Sequence, residues 1–331
     1  MWADVVDTFV VNAFVVPGKS HSSGNPAGVV VVPPDVPFWQ VHTTMQDVAH
    51  EMSFSETAFV QLVTEQYDKH NDDDNDETVH YLIRWFTPKV EVDLCGHATL
   101  APAAVLMELH APTVKVCFHS KHHGKLLVRT QVSPALRDGQ EDTSALADDT
   151  CFWLEFPISH LTKYIGSSQE LCEALRIQPE HVVSVMTTDY DTLVHVDCSS
   201  RLLDMHVDQE ALGSIHTRGI IVTSHVDGEQ LDKRVQSVKE QAGVPKLDFL
   251  SRFFAPRCGI DEDPVTGSAH CALFPYWQSV LGGETAELIG AQMSSRAGII
   301  FMRRSEVASR LRIGGHAFVA ISGRTNIPHW T

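Results

Sequence analysis

"RWFTPKVEVDLCGHATLAPAAVL" at residues 84–106 and "RFFAPRCGIDEDPVTGSAHCALF" at residues 252–274 spell one pattern twice. Each copy has Arg, an aromatic residue, Phe, a small residue and Pro, followed by acidic residues and then a glycine turn. Cys95-Gly96-His97-Ala98 stands against Thr266-Gly267-Ser268-Ala269, and an alanine-bearing apolar run follows both. The copies start 168 residues apart (252 − 84), about half of the 331-residue chain. Repetition on that scale, with the flanking run in agreement, indicates a duplicated domain whose halves carry the same device.

The device has a physical use. A Gly-X-small sequence opening a helix leaves backbone N–H groups without intrahelical partners at the positive end of the helix dipole. Such a site binds a carboxylate or a phosphate. Two of them, one per half, would face each other across a cleft and hold a small organic acid. The plainer reading of either copy alone is an ordinary helix start with glycine for close packing; the pairing favours the site.

Length and composition fit this picture. A chain of 331 residues and 36.7 kDa exceeds a single core, so two domains are expected. A hydrophobic share of 43% with 20% charged residues is that of an ordinary globular protein. The net charge of −17 argues against nucleic acid and anionic membrane as partners. Much of it is local: Asp68, Asp72, Asp73, Asp74, Asp76 and Glu77 crowd one segment, and Asp138, Glu141, Asp142, Asp148 and Asp149 another. Both read as solvated loops. Seven scattered cysteines without a C-x-x-C pair fit reduced thiols in the cytoplasm. No basic leader opens the sequence, and no apolar run reaches the length of a membrane span.

Along the chain, strands outnumber helices and are short. "DVVDTFVVNAFVV" reads as a strand, "PGKSHSSGNPAG" as a loop and "FWQVHTTMQDVAHEM" as a helix. "HATLAPAAVLMEL" forms a second helix, in which Pro102 is tolerable if it falls in the first turns. "TVKVCFHS" and "GKLLVRTQV" form a hairpin around "KHHGK", and "CFWLEFP" pairs with the strand before it. The later half offers helices at "SQELCEALRI", "LLDMHVDQEALG" and "SAHCALFPYWQSVL", with closing strands at "GIIFMRRS" and "RLRIGGHAFVAISGR". This pattern predicts an α+β protein with antiparallel sheets, divided into residues 1–130 and 131–331, the final strand crossing to the first half.

Side chains in and near the turns supply candidate chemistry. At a helix start the dipole disfavours protonation of His97 and leaves a neutral imidazole. Asp263 precedes Ser268 in "DPVTGSA", where Pro264 fixes the turn, and can orient an amine or hydroxyl. Glu56, in "SFSETAFV", would titrate near neutrality if Phe54 and Phe59 wall it in. Taken singly, Asp263 could be a helix cap, Ser268 a first-turn residue, His97 a packed core histidine and Glu56 an exposed strand residue.

"GNPAG" at 24–28, "MSFSETAF" at 52–59 and the two long motifs together resemble the PhzF-like, phenazine biosynthesis-like family of the diaminopimelate-epimerase-fold group. The likeness spans most of the chain and extends to the eukaryotic phenazine biosynthesis-like domain proteins. It implies two pseudo-symmetric domains, each a β-barrel-like sheet around a central helix, with the site between them, in a homodimer. In the founding member the glutamate of the S-E-T motif shuttles a proton during isomerisation of dihydro-hydroxyanthranilate, without metal or organic cofactor. Carried to this chain, the resemblance makes Glu56 the general acid/base and has His97 and Asp263 hold and polarise the substrate. Ser268 and the N–H groups near Gly96 and Gly267 bind its carboxylate, and Asn25 lines the cleft. Asn12 replaces the aspartate common before Ala-Phe, the first loop is lengthened, and two acidic stretches are added, which leaves the substrate open.

Other chemistries have less support. The related two-thiol racemases need a cysteine at both helix starts, and here Cys95 is matched by Thr266. A one-base epimerase or dehydratase with a Cys95 thiolate, and a non-catalytic binding protein on the same fold, are the remaining alternatives. No H-E-x-x-H, dinucleotide or P-loop motif occurs, and His119, His122 and His123 read as an exposed hairpin turn, so no metal or cofactor is expected.

Overall fold

A computed structural model describes residues 4–63, 78–110, 115–132, 150–226, 228, 231–283, 285–307, 309–327 and 330. Both acidic stretches lie outside the described residues.

The first half contributes strands β1 (Asp4–Val15), β2 (Asn25–Val31), β3 (Thr57–Leu62), β4 (Thr78–Phe86), the short β5 (Glu91–Val92), β6 (Lys115–Ser120) and β7 (Gly124–Val132). The second runs through β8 (Thr150–Pro157), β9 (Thr162–Lys163), β10 (Val182–Thr187), β11 (Thr192–Val196), β12 (Ile220–His225) and β13 (Phe249–Phe254) to β14 (Glu287–Gln292), β15 (Gly298–Arg304) and β16 (Arg310–Ile327). The order β1-β2-β3-β4-β6-β7-β8-β16 closes on itself, because β16 also pairs with β1 from Asp4↔Ile327 to Val15↔His316. From β16 a second sheet continues through β15, β14, β13, β12, β11 and β10 to β9. Residue 130 falls inside β7, and β8 and β16 both complete the first barrel. The sheets are mixed, not purely antiparallel: β2–β3, β4–β6, β11–β12 and β13–β14 run parallel, each across a connection that carries a helix.

Helices α1 (His42–Met52), α3 (Ser168–Leu175), α4 (Ser199–Leu203), α5 (Gln209–Ser214) and α6 (Lys233–Gln241) accompany the two inner helices, α2 (His97–Leu109) and α7 (Gly267–Val280). The stretch "LLDMHVDQEALG", expected as one helix, is split between α4 and α5, because the Asp208 side chain accepts a hydrogen bond from the Ala211 N–H and starts a new helix there. GNPAG is not a loop over its length, since β2 begins at Asn25.

Every residue of α2 from His97 to Met107 is buried, as a helix apolar all round its surface must be. Pro102 is the sixth residue of α2, past the first turn, so the carbonyl of Ala98 lacks its helical donor. The Trp85 indole N–H supplies one at 3.2 Å. In α7, Pro275 likewise deprives the Cys271 carbonyl, and the Ser159 N–H supplies the bond at 3.1 Å. Each half therefore tolerates its interior proline by a hydrogen bond from outside the helix.

The repeated pentapeptide has the same explanation in both halves. Arg84 at the end of β4 forks onto Glu91 at 2.7 and 2.9 Å, and Arg252 at the end of β13 forks onto Glu262 at the same distances. Arg84 sits over Phe86 at 5.0 Å from the ring centre and Arg252 over Phe254 at 4.9 Å. Bidentate pairing of this kind fixes direction as well as distance. It ties the turn after each proline to its strand and so places the glycine that opens the inner helix.

Candidate active site

The inner helices meet at their N-termini. A methyl group built on Gly96 would lie 3.8 Å from the Gly267 Cα, and one built on Gly267 would lie 3.8 Å from the Gly96 Cα. Neither helix start has a side-chain cap. Phe156 beside Gly96 and Phe14 beside Gly267 line this junction with apolar surface. Phe14 is held at φ 59°, and Gly315 leaves the space its ring occupies, since a Cβ there would lie 2.3 Å from Phe14 Cδ1.

Around the junction Asn25, Glu56, His97 and Asp263 come together from both halves. Asn25 Nδ2 donates to Asp263 Oδ1 at 2.8 Å and to the Val265 carbonyl at 2.9 Å, and lies 3.4 Å from His97 Nδ1. Two acceptors on one nitrogen fix the amide's orientation, and its buried Oδ1 has no partner among the described residues. On the other side of the imidazole, His97 Nε2 lies 3.3 Å from Glu56 Oε2 and 3.3 Å from Ser55 Oγ. These partners favour a neutral His97 with its proton on Nε2, shared with Glu56. Asp263 Oδ2 accepts from the Thr266 hydroxyl, and Gln292 spans the turn, donating to the Asp263 carbonyl at 2.8 Å and accepting from the Thr266 N–H at 2.9 Å. Asp263 thus caps no helix N–H; its carboxylate accepts from the Asn25 and Thr266 side chains instead.

Burial dominates the electrostatics. It raises the pKa of Glu56, whose side chain is only 14% exposed, against hydrogen bonds from Ser55 and Cys95 that lower it. Burial likewise raises Asp263 to about 6, against the lowering effects of His97, Thr266 and Asn25. His97 is shifted down by burial against the charge of Asp263, so lost hydration is the leading cause of its neutrality. Phe59, expected as a wall for Glu56, serves another cluster, packed edge-on to Phe86 beside α1.

Cys95 does not fit a thiolate base. Burial pushes its thiol well above the ordinary cysteine value, and the neighbouring Glu56 charge raises it further. Its sulfur lies 3.4 Å from His97 Nδ1. Glu56, Cys95 and His97 do present an oxygen, a sulfur and a nitrogen within 4.8 Å of one another, a geometry that could also hold a cation.

Two residues of the site left no mark in the sequence. Arg218 donates to Ser268 Oγ at 3.1 Å while forking onto the buried Asp191 at 2.8 and 2.5 Å, which puts a guanidinium beside the second helix start. Gln292 is the other. Neither belongs to the repeated motif, and Arg218 reaches Ser268 across 50 residues of chain. Asn12 belongs to the framework: it donates to the Ser20 carbonyl at 3.0 Å and accepts from Arg296 at 3.0 Å, knitting the lengthened first loop.

The profile of the phenazine biosynthesis-like proteins matches residues 11–323. The chain belongs to this PhzF-like family. An uncharacterized isomerase of Pseudomonas aeruginosa is 37% identical over 306 residues, covering 92% of this chain and 94% of that protein. A human phenazine biosynthesis-like domain-containing protein is 30% identical over 331 residues, with 96% of each covered. The crystal structure of a PhzF-family phenazine biosynthesis protein from Enterococcus faecalis superposes with a TM-score of 0.70 at 28% identity, covering 97% of this chain and 99% of that one. The fold of this PhzF-like chain is therefore the α+β, diaminopimelate-epimerase-like one.

Proposed function

We propose that this protein is a cofactor-independent isomerase of a small carboxylic acid, in which Glu56 moves a proton between two carbons. Isomerase chemistry accords with its PhzF-like relatives. The observation that carries the finer reading is the contact between the enclosed Glu56 and His97 at 3.3 Å, beside two uncapped helix starts that meet at Gly96 and Gly267.

The substrate carboxylate is held by the N–H groups of the two starts and by Ser268, with the Arg218 guanidinium adding charge behind the hydroxyl. Ionised Glu56 takes a proton from the carbon next to an existing double bond; the electron pair of that C–H bond forms a new double bond, the π pair of the old one is displaced onto the far carbon, and the neutral acid returns the proton there. A raised carboxyl pKa suits both steps, because it makes the carboxylate a better base and keeps the acid within reach near neutral pH. Neutral His97 donates to the charge that builds up, while Asp263, fixed by Asn25 and Thr266, orients the amino or hydroxyl substituent. The same reading places the enzyme in the cytoplasm as a homodimer, without nucleic acid or membrane partners.

The test is solvent exchange. Candidate cyclic or amino-bearing carboxylic acids are incubated in D2O with the wild type and with Glu56→Gln, and deuterium incorporation at carbon is followed by NMR. Incorporation by the wild type that is lost in Glu56→Gln supports the assignment. Incorporation that survives the substitution unchanged removes Glu56 from the role, and none with any acid favours a binding protein.

A further inference from the structure

A second cluster of chemistry-bearing side chains lies on the outside of the first barrel. Parallel pairing of β4 with β6 sets His80 opposite Cys117, and His119 follows two residues on. Tyr81 and Ile83 of β4 and Val116 and Phe118 of β6 point into the core, so alternation along the strands turns His80, Cys117 and His119 together to the other face. His119 does not belong to the exposed hairpin turn expected from the sequence: it is 7% exposed and Cys117 is 4% exposed. His80 Nδ1 and His119 Nε2 are 2.9 Å apart, with ring centres at 5.2 Å. A nitrogen from each imidazole and the Cys117 sulfur all lie within 4.8 Å of one another.

The geometry points to a Zn2+ site formed by His80, Cys117 and His119. Two imidazoles and a thiol are the donors that borderline and soft ions prefer, and among the described residues the set has no oxygen ligand to favour Mg2+ or Ca2+. With Zn–N near 2.0–2.1 Å, two tetrahedral ligand nitrogens stand about 3.3 Å apart, so the imidazoles need open by only a few tenths of an ångström. The described residues supply three of the four ligands that Zn2+ takes. Binding displaces the thiol proton and ties β4 to β6 across 37 residues of chain (117 − 80). No short motif announces such a set, because its members come from two strands brought together by the fold. The site uses none of the residues of the proposed isomerase cleft and stands or falls separately from it.

The experiment uses the full chain, stripped with a chelator and titrated with Zn2+ against a chromophoric competitor, and with Co2+ as a spectroscopic substitute. One Zn2+ per chain, a thiolate-to-cobalt charge-transfer band and a higher unfolding midpoint with Zn2+ are expected. Cys117→Ser should abolish the band. Half-buried His80→Ala, the variant less prone to misfold, should weaken Zn2+ binding by at least about tenfold, since loss of a ligand costs no less than loss of an outer-shell partner. Cys95→Ser should keep the band and the affinity. No bound equivalent, or a band that survives Cys117→Ser or is lost in Cys95→Ser instead, overturns the assignment.

Discussion

Replacing Asp263 by Asn separates the cost of burying this carboxylate from everything else that titrates in the protein. Burial pushes its pKa from the ordinary aspartate value of 3.8 up to about 6 in the fold. An acid whose pKa is raised on folding binds its proton more tightly in the native state. Stability is therefore greatest below the unfolded value and falls as pH rises through the folded one. At 1.36 kcal/mol per unit, the full penalty is about 3 kcal/mol, of which about half, roughly 1.4 kcal/mol, accrues between pH 5 and pH 8. Asparagine keeps an oxygen to accept from Asn25 and cannot ionise. In urea unfolding at a series of pH values, the stability of Asp263→Asn minus that of the wild type should rise by about that amount from pH 5 to pH 8. Differencing cancels the carboxylates common to both proteins. A flat difference, or one that falls with pH, would refute the claim that Asp263 is desolvated without sufficient compensation.

Three further outcomes follow from the same geometry. Glu56→Gln should lower the exchange rate by about 10²–10⁴-fold, the usual share of general acid–base catalysis, while leaving the protein no less stable at pH 8 because a buried charge is gone; exchange rates and urea midpoints check both. Cys95→Ser should keep exchange within about tenfold of the wild type, since a thiol held this far above neutrality is no base; a loss as large as that of Glu56→Gln would restore the thiol mechanism. Arg218→Met leaves Asp191 buried without its cation and should destabilise by about 3 kcal/mol, the low end for a broken buried pair because Arg218 is 38% exposed; adding Asp191→Asn should recover most of it.

The repeated pentapeptide made the duplication legible, and the structure gives its cause in two Arg–Glu forks that share their distances. The inner helices were legible for a related reason: a run with almost no charge must be buried on all sides. Asn25, Glu56, His97 and Asp263 could be picked out because each stands in or beside a motif, and the fold brings them into one network. Arg218 and Gln292 could not. Their partners lie 50 and 26 residues away, and nothing local distinguishes them from other polar residues. The break between α4 and α5 was written as a capping aspartate at 208, but apolar spacing outweighed that sign. His119 was misplaced because a residue three positions from exposed His122 can still be buried when it lies within the strand, here on the barrel's outer face.

Strand β16 has a mechanical consequence. Its 18 residues pair with β15 in one half and with β8 and β1 in the other, so a single beam joins the two halves. The halves do not hang on a loose tether, and any opening between them has to twist this beam. It also means that cutting β16 back from Ile327 would leave β1 without its partner from Asp4 onward and open the first barrel.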